Sequence, residues 1–342
     1  MNVMTYRKKG ASMMTTRRSL LAAGTLLLGV LCSVAPSSAQ TATQNWPTHP
    51  VKFIVPFGAG AGADIGARLF AERLSKKWGQ PVVVENRPGA DGVLAFKGMI
   101  NANDDHVLLF GAAGSFTVHP VQYKVMPYDP KDIVPIARAS NTIIVVSVQA
   151  AGPFKTLSDL VAAIRAQPGK VNAALVPGIT EYAFRGFLAQ TDGGLSVASV
   201  PYRDIVQAVP DLGEGRVQVM MSSLAIVQPQ AQGGKVRILC VTGHERVPQL
   251  PGVATSAELG FPKLELEGLA GLFGPRKMSP ALRERIAADV KEVAADGVIG
   301  QRLAASGQVM NLGGPKEFAE SIDRQRKQIA DIAKLLNIKP DR

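Results

Sequence analysis

The 342 residues carry 46% hydrophobic and 19% charged side chains, enough apolar material for two cores and too little charge for a disordered chain. The formal charge is +11. Residues 1–39 hold five basic and no acidic side chains, so the 38 basic residues fall to 33 against 27 acidic beyond them, leaving +6. No basic run with interleaved aromatics accompanies that charge, which argues against nucleic acid as a partner, while a mild positive field favours anionic solutes.

The chain opens with Arg7, Lys8, Lys9, Arg17 and Arg18, then an apolar run over 20–34, then Ser37, Ser38 and Ala39. That order predicts a signal peptide over 1–39 and export to the periplasm. The run is shorter than the roughly 20 residues that span a bilayer. Arg17-Arg18 partly matches a twin-arginine signal, and the general secretory route stays equally open. Cys32 follows bulky Leu31, which disfavours lipidation, so Cys240 is the one cysteine of the mature chain. No internal disulfide or cysteine metal site can then form. Cys240 lies in the apolar run 236–241 and reads as a core residue.

Residues 51–56 (VKFIVP) predict a strand, closed by Gly58, Gly60 and Gly62. Helical spacing follows over 63–78, with Ile65, Leu69 and Leu74 on one face. Residues 81–85 (PVVVE) predict a second strand, 93–101 a helix and 107–110 (VLLF) a third strand. This βαβαβ order implies a parallel sheet covered on both faces, with ligands bound at the carboxyl ends of its strands. The loops 57–64, 88–92 and 111–117 all belong at that edge.

A strand over 143–148 crosses into a second α/β unit, in which strands over 171–176, 197–200, 217–221 and 236–241 alternate with helices over 156–166, 182–190 and 206–212. A helix-and-turn segment over 253–260 leads back. Amphipathic helices over 280–296 and 315–336 close the chain. The domains expected are 46–145 plus 255–342 for the first, discontinuous one, and 146–254 for the second.

The glycine loop 57–64 follows a strand and opens a helix, an arrangement that turns free main-chain N–H groups toward an anion. Asp64 either meets the ligand or serves as a helix-start acid paired with Arg68. A dinucleotide reading competes, with Glu85 at the end of the next strand as the ribose acid, but Gly58-x-Gly60-x-Gly62 is not G-x-G-x-x-G and a leader would carry the chain away from the cytoplasmic nicotinamide pool. None of His49, His106, His119 and His244 stands at metal-ligand spacing, and neither G-x-S-x-G nor H-E-x-x-H occurs. Asp104-Asp105-His106 reads as an exposed turn ahead of a strand. No cofactor and no catalytic residue is expected.

Taken in order, several segments resemble the receptors of tripartite tricarboxylate transporters, the Bug or TctC-like family. They are Pro47-Thr48-His49-Pro50-Val51 running into Ile54-Val55-Pro56-Phe57, Gly62-Ala63-Asp64 with Arg68, Val82 to Ala90 (VVVENRPGA), Tyr128-Asp129-Pro130, Val200-Pro201-Tyr202, Gly234-Lys235-Val236-Arg237 and Leu250-Pro251-Gly252-Val253. The likeness spans about 46–336. It implies a two-lobed α/β periplasmic binding protein of type II-like form, each lobe a mainly parallel sheet flanked by helices. It implies capture of a small organic acid without catalysis, delivery to membrane transporter subunits, and a monomer. The ligand-binding residues it implies are Phe57, Gly58, Ala59, Ala61 and Asp64, then Gly89, Ala90 and Gly92, and from the second lobe Gly178, Thr180 and Tyr202. Asp91, Glu181 and Asp204 depart from the family pattern, and Asp91 and Glu181 add negative charge near that site. Either their side chains point away, or the ligand has a cationic or donor-rich part, or binding is lost. An exported hydrolase or isomerase using the same cleft, and a receptor presenting its ligand to a membrane sensor, are the alternatives.

Overall fold

The computed structural model describes residues 45–340 except 177 and 203. The leader expected over 1–39 lies outside the described residues. Strands β1 (Val51–Val55), β2 (Val82–Asn86) and β3 (Val107–Ala112) alternate with helices α1 (Gly62–Trp78), α2 (Val93–Ala102) and α3 (Gly114–Gln122). β4 (Ile133–Thr142) then runs almost directly into β5 (Ile144–Gln149). Next come α4 (Leu157–Ala166), β6 (Asn172–Leu175), α5 (Ile179–Gln190), β7 (Ala198–Pro201), α6 (Ala208–Gly213), β8 (Val219–Ser223), α7 (Leu224–Gln232) and β9 (Val236–Val241). The chain returns through β10 (Gly268–Pro275), α8 (Pro280–Ala294), α9 (Gly297–Ala305), β11 (Gln308–Gly313) and α10 (Pro315–Leu335).

Two lobes result, each built on one sheet. The six-stranded sheet has the order β11-β4-β10-β3-β1-β2 and the five-stranded one β7-β6-β8-β5-β9. The parallel pairings expected for β1, β2 and β3 are present, as are those of β6 with β7 and β8. The crossing strands add antiparallel pairs, β10 with β3 and β4, β11 with β4, and β5 with β8 and β9, so both sheets are mixed rather than mainly parallel. The antiparallel pairs gather on β4, β5 and β10, the strands by which the chain passes from one sheet to the other and back.

Period-two alternation assigns the faces. Val51, Phe53 and Val55 pack with α1 and α8 in one cluster with Phe70, Leu74 and Ile286. Ile54 points to the opposite cluster with Val93, Phe96, Met99, Phe273 and Phe318. In the second sheet Ile144, Val146 and Val148 face one cluster and Ile143 and Val145 the other. Cys240 is buried there, and burial pushes its thiol up to about 12, in keeping with an inert core residue. Thr156 starts α4 with a full capping box: its hydroxyl accepts from the Asp159 N–H, and the Asp159 carboxylate accepts from the Thr156 N–H. Among the described residues no helix is long and apolar enough to cross a membrane.

Several elements escaped the periodicity reading. β10 holds three glycines, α3 starts at a glycine and contains Pro120, and β4 contains Pro135. Pro135 is accommodated because the β4–β10 register slips beside it, pairing Phe273 with Pro135 and Leu272 with Ala137. The expected 111–117 loop is therefore mostly strand end and helix start. The helix expected within 253–260 is a run of turns joined to β9 by a bridge between Val241 and Thr255.

The lobes are stitched where the chain crosses. The Thr242 N–H donates to Ile144 O at 3.0 Å and the Leu266 N–H to Thr242 O at 2.8 Å, while Gly268 pairs with Thr142. Gly268 lies so close to its neighbour that a Cβ there would sit 2.2 Å from Thr142 O. Gly268→Ala is expected to lower stability by about 1–3 kcal/mol, the range for overpacking, as a fall in the urea midpoint at unchanged m-value.

Candidate functional site

The exits of β1, β2 and β3 meet at one edge of the six-stranded sheet. After β1 the chain passes buried Pro56 and half-buried Phe57, then exposes Gly58, Ala59 and Gly60. Gly60 takes φ 85°, a conformation open to glycine at little cost. The Ala61 N–H donates to Gly58 O at 3.2 Å and the Gly60 N–H to Asp64 Oδ2 at 2.9 Å, folding the loop onto the start of α1.

Asp64 lies beneath this loop rather than on it. The residue is 2% exposed. Its Oδ2 accepts from Gly60 and Arg68, and its Oδ1 from Arg68 Nη2 at 3.0 Å and Asn86 Nδ2 at 2.9 Å. Burial opposes its ionisation, but the hydrogen bonds from Arg68, Gly60 and Asn86 and the Arg68 charge outweigh that and hold its carboxyl below the usual range.

The second loop has an unusual backbone. Gly89, Ala90, Asp91 and Gly92 all have positive φ, at 120°, 47°, 53° and 92°. Two of the four are not glycine, so the turn stores strain of the kind found at ligand sites. The Gly92 N–H closes the turn onto Gly89 O at 3.0 Å. A Cβ on Gly92 would lie 3.2 Å from Pro56 Cβ, so this turn packs on the root of the first loop. Ala113, just past β3, donates its N–H to Leu269 O at 2.8 Å.

The second lobe meets the first at Gly114, where a Cβ would press within 3.0 Å of Ile179 at the start of α5. Gly178 and Thr180 flank that contact. Tyr202 follows β7, and its N–H donates to Leu175 O at 3.3 Å, which places it beside the exit of β6. Its hydroxyl is turned to Asp211 Oδ2 at 2.7 Å, and burial together with that bond pushes its pKa up to about 12. A Cβ would meet nothing within 4 Å at Gly58 or at Gly178, so each of these positions borders open space.

The structure thus gathers Phe57, Gly58, Ala59, Ala61, Gly89, Ala90 and Gly92 at one edge, with Gly178 and Thr180 beside the contact from the other lobe and Tyr202 at the neighbouring strand exit. Of the three departing acids, Asp204 accepts from the Val206 N–H at 2.9 Å and caps its own turn, and Glu181 pairs with Arg185 at 2.8 Å. Asp91 stays exposed within the strained turn. Sequence reasoning passed over Asn86, whose amide reaches Phe57, Asp64 and Arg68. A strand-ending Asn beside a glycine loop was the available signal. A groove of about 510 Å³ on α5, lined by Glu181, Tyr182, Arg185, Gln122 and Lys339 among others, holds none of the candidate residues.

Asp104-Asp105-His106 departs from the exposed turn expected. His106 is buried, its ring stacks on His49 with centroids 3.7 Å apart, and the ligand atoms of His49, Asp104 and His106 lie within 4.8 Å of one another. Wide separation in sequence hid this cluster. Both ring nitrogens of His106 are engaged, Nε2 by the Thr48 N–H at 3.1 Å and Nδ1 by Asp104 at 3.1 Å, which makes the cluster a clasp for the segment entering β1.

The family model for the tripartite tricarboxylate transporter family receptor matches residues 66–337. The chain belongs to that family. A relative from Pseudomonas sp. strain P51, a UPF0065 protein in the tcbD-tcbE intergenic region, is 30% identical over 315 residues, covering 90% of this chain and 93% of its own. Among solved structures, the R. palustris protein Rpa4515 with adipate aligns at a TM-score of 0.73 and 26% identity, covering 86% of this chain and all of its own. MatC from Rhodopseudomonas palustris with bound malate aligns at 0.70 and 25%, covering 84% and 99%. The protein is accordingly a solute-binding receptor of the TctC type, and its two lobes are those of that fold.

Because the folded-state pKa of Asp64 is depressed, the stability it contributes is present above its unfolded value, about 3.9, and is lost as pH falls through the folded one. Asp64→Asn is therefore expected to lower the urea midpoint at pH 7, with the gap to wild type closing as the pH falls through the depressed folded-state value. A gap of equal size at both ends of that range would show that the carboxylate charge is not what holds the loop.

Proposed function

We propose that the protein is an exported receptor that captures a small dicarboxylate in the cleft between its lobes and delivers it to membrane transporter subunits. The lobes are taken as 46–145 plus 255–342 and 146–254, and the periplasm as the compartment, following the leader read over 1–39. One observation carries the reading: four consecutive positive-φ residues, Gly89–Gly92, pack on the root of a second glycine loop whose Gly58 and Gly60 border open space. Main-chain N–H groups in such turns suit carboxylate oxygens without adding a protein charge. The ligands bound by the relatives from Rhodopseudomonas palustris, adipate and malate, are both dicarboxylates and support the same class here.

The fixed roles of nearby side chains favour capture over turnover. Tyr202 is paired with Asp211, Asp64 with the loop and Glu181 with Arg185, which supports binding through main-chain groups rather than through these side chains. The site residues proposed are Phe57, Gly58, Ala59, Ala61, Gly89, Ala90, Gly92, Gly178, Thr180 and Tyr202, with Asp64 acting from below.

Calorimetry with succinate, malate and adipate tests this. Binding of at least one at a micromolar Kd, about −8 kcal/mol, with the ligand recovered unchanged is the expected result. Silence from all three, or conversion of the ligand, would overturn it. Tyr202→Ala is expected to weaken that binding about tenfold, or about 1.4 kcal/mol. Tyr202→Phe should change it little, since the hydroxyl already belongs to Asp211.

A further inference from the structure

The side chain of Asn86 is committed in three directions. Its Nδ2 donates to Phe57 O and to Asp64 Oδ1, both at 2.9 Å, and its Oδ1 accepts from Arg68 Nη2 at 3.0 Å. Asn86 ends β2, the edge strand of its sheet, and leads directly into the strained turn of the second loop. Its neighbour Arg87 donates its N–H to Val55 O at 2.8 Å, which pins the strand exit to β1.

The bond to Phe57 O has a geometric consequence. A trans peptide is planar, with its C=O and N–H pointing in opposite directions. Drawing the Phe57 carbonyl toward Asn86 therefore turns the Gly58 N–H away from it. Gly58 is exposed and faces open space, and among the described residues its N–H has no acceptor.

We infer that Asn86 is a positioning residue that aims the Gly58 amide into the cleft and makes the first loop competent to bind an anion. Asp64 and Arg68 hold the Asn86 amide in the required orientation, with Nδ2 toward Phe57. This inference rests on the proposed reading of the cleft as a carboxylate site, but its first measurement needs no ligand.

The test uses Asn86→Ala and the exchanged pair Asn86→Asp with Asp64→Asn, in the whole protein. The exchanged pair keeps one carboxylate against Arg68 and a hydrogen bond between positions 64 and 86. It sets an oxygen, not an N–H, against Phe57 O. Three quantities are read: the thermal midpoint, the Gly58 amide resonance and its exchange rate in ligand-free protein, and the Kd for malate and adipate. In Asn86→Ala the Gly58 resonance is expected to move and the dicarboxylate affinity to fall about tenfold, or about 1.4 kcal/mol. The exchanged pair should recover much of the midpoint while the Gly58 resonance stays displaced and the affinity stays low.

Recovery of all three quantities in the exchanged pair would overturn the inference and leave Asn86 a purely structural residue. An unmoved Gly58 amide in Asn86→Ala would overturn it too. A wild-type protein that binds neither acid, with Gly58 still responding to Asn86, would uphold the positioning role and defeat only the dicarboxylate reading.

Discussion

The buried carboxylate of Asp64 is the constraint on which the cleft edge depends. Loop residues with open space around them are costly to order, because glycine loses more conformational freedom on folding than any other residue. Asp64 offsets that cost from below, accepting from Gly60, Arg68 and Asn86 at once. A carboxylate with so little exposure would be unfavourable alone. Here it is compensated by one guanidinium and by donors on three elements, so the charge joins the first loop, α1 and the end of β2. Residues that show their backbone to solvent are thus ordered by a residue that shows almost nothing.

The second loop is ordered differently. Strain in Gly89–Gly92 is held by packing, with Gly92 wedged between Pro56 and Phe96. Pro56 sits at the root of the first loop, so the two loops share a wall. Across from them, the contact of Gly114 with Ile179 sets where α5 begins relative to the first lobe. In the proposed reading this leaves a gap bounded by main chain on both sides. Two of the local acids, Asp204 and Glu181, are drawn into a cap and an ion pair, which reconciles their presence with an anionic ligand.

Much of the fold was legible because periodicity is a local property. The strands at 51–55 and 236–241 and the helices α8 and α10 carry their patterns within a dozen or so residues. β4, β10 and β11 did not, since proline and glycine are tolerated there only through a register slip or a neighbour's close approach. The same limit governed the site. A glycine loop between strand and helix was visible in the sequence. That Asp64 faces inward, that the Tyr202 hydroxyl turns to Asp211, and that His49 stacks on His106 all depend on partners that are distant or on the pitch of a turn.

By itself the sequence determined the α/β alternation, the glycine-rich strand exits, the family likeness and the absence of any short catalytic motif, because each is written in residue type and spacing. Only the tertiary structure decided which groups those exits present. Hydrogen-bond direction and burial come from elements brought together over long stretches of chain, as when Asn86 meets Phe57 across two strands and the helix between them, and no local pattern encodes the angle at which they meet.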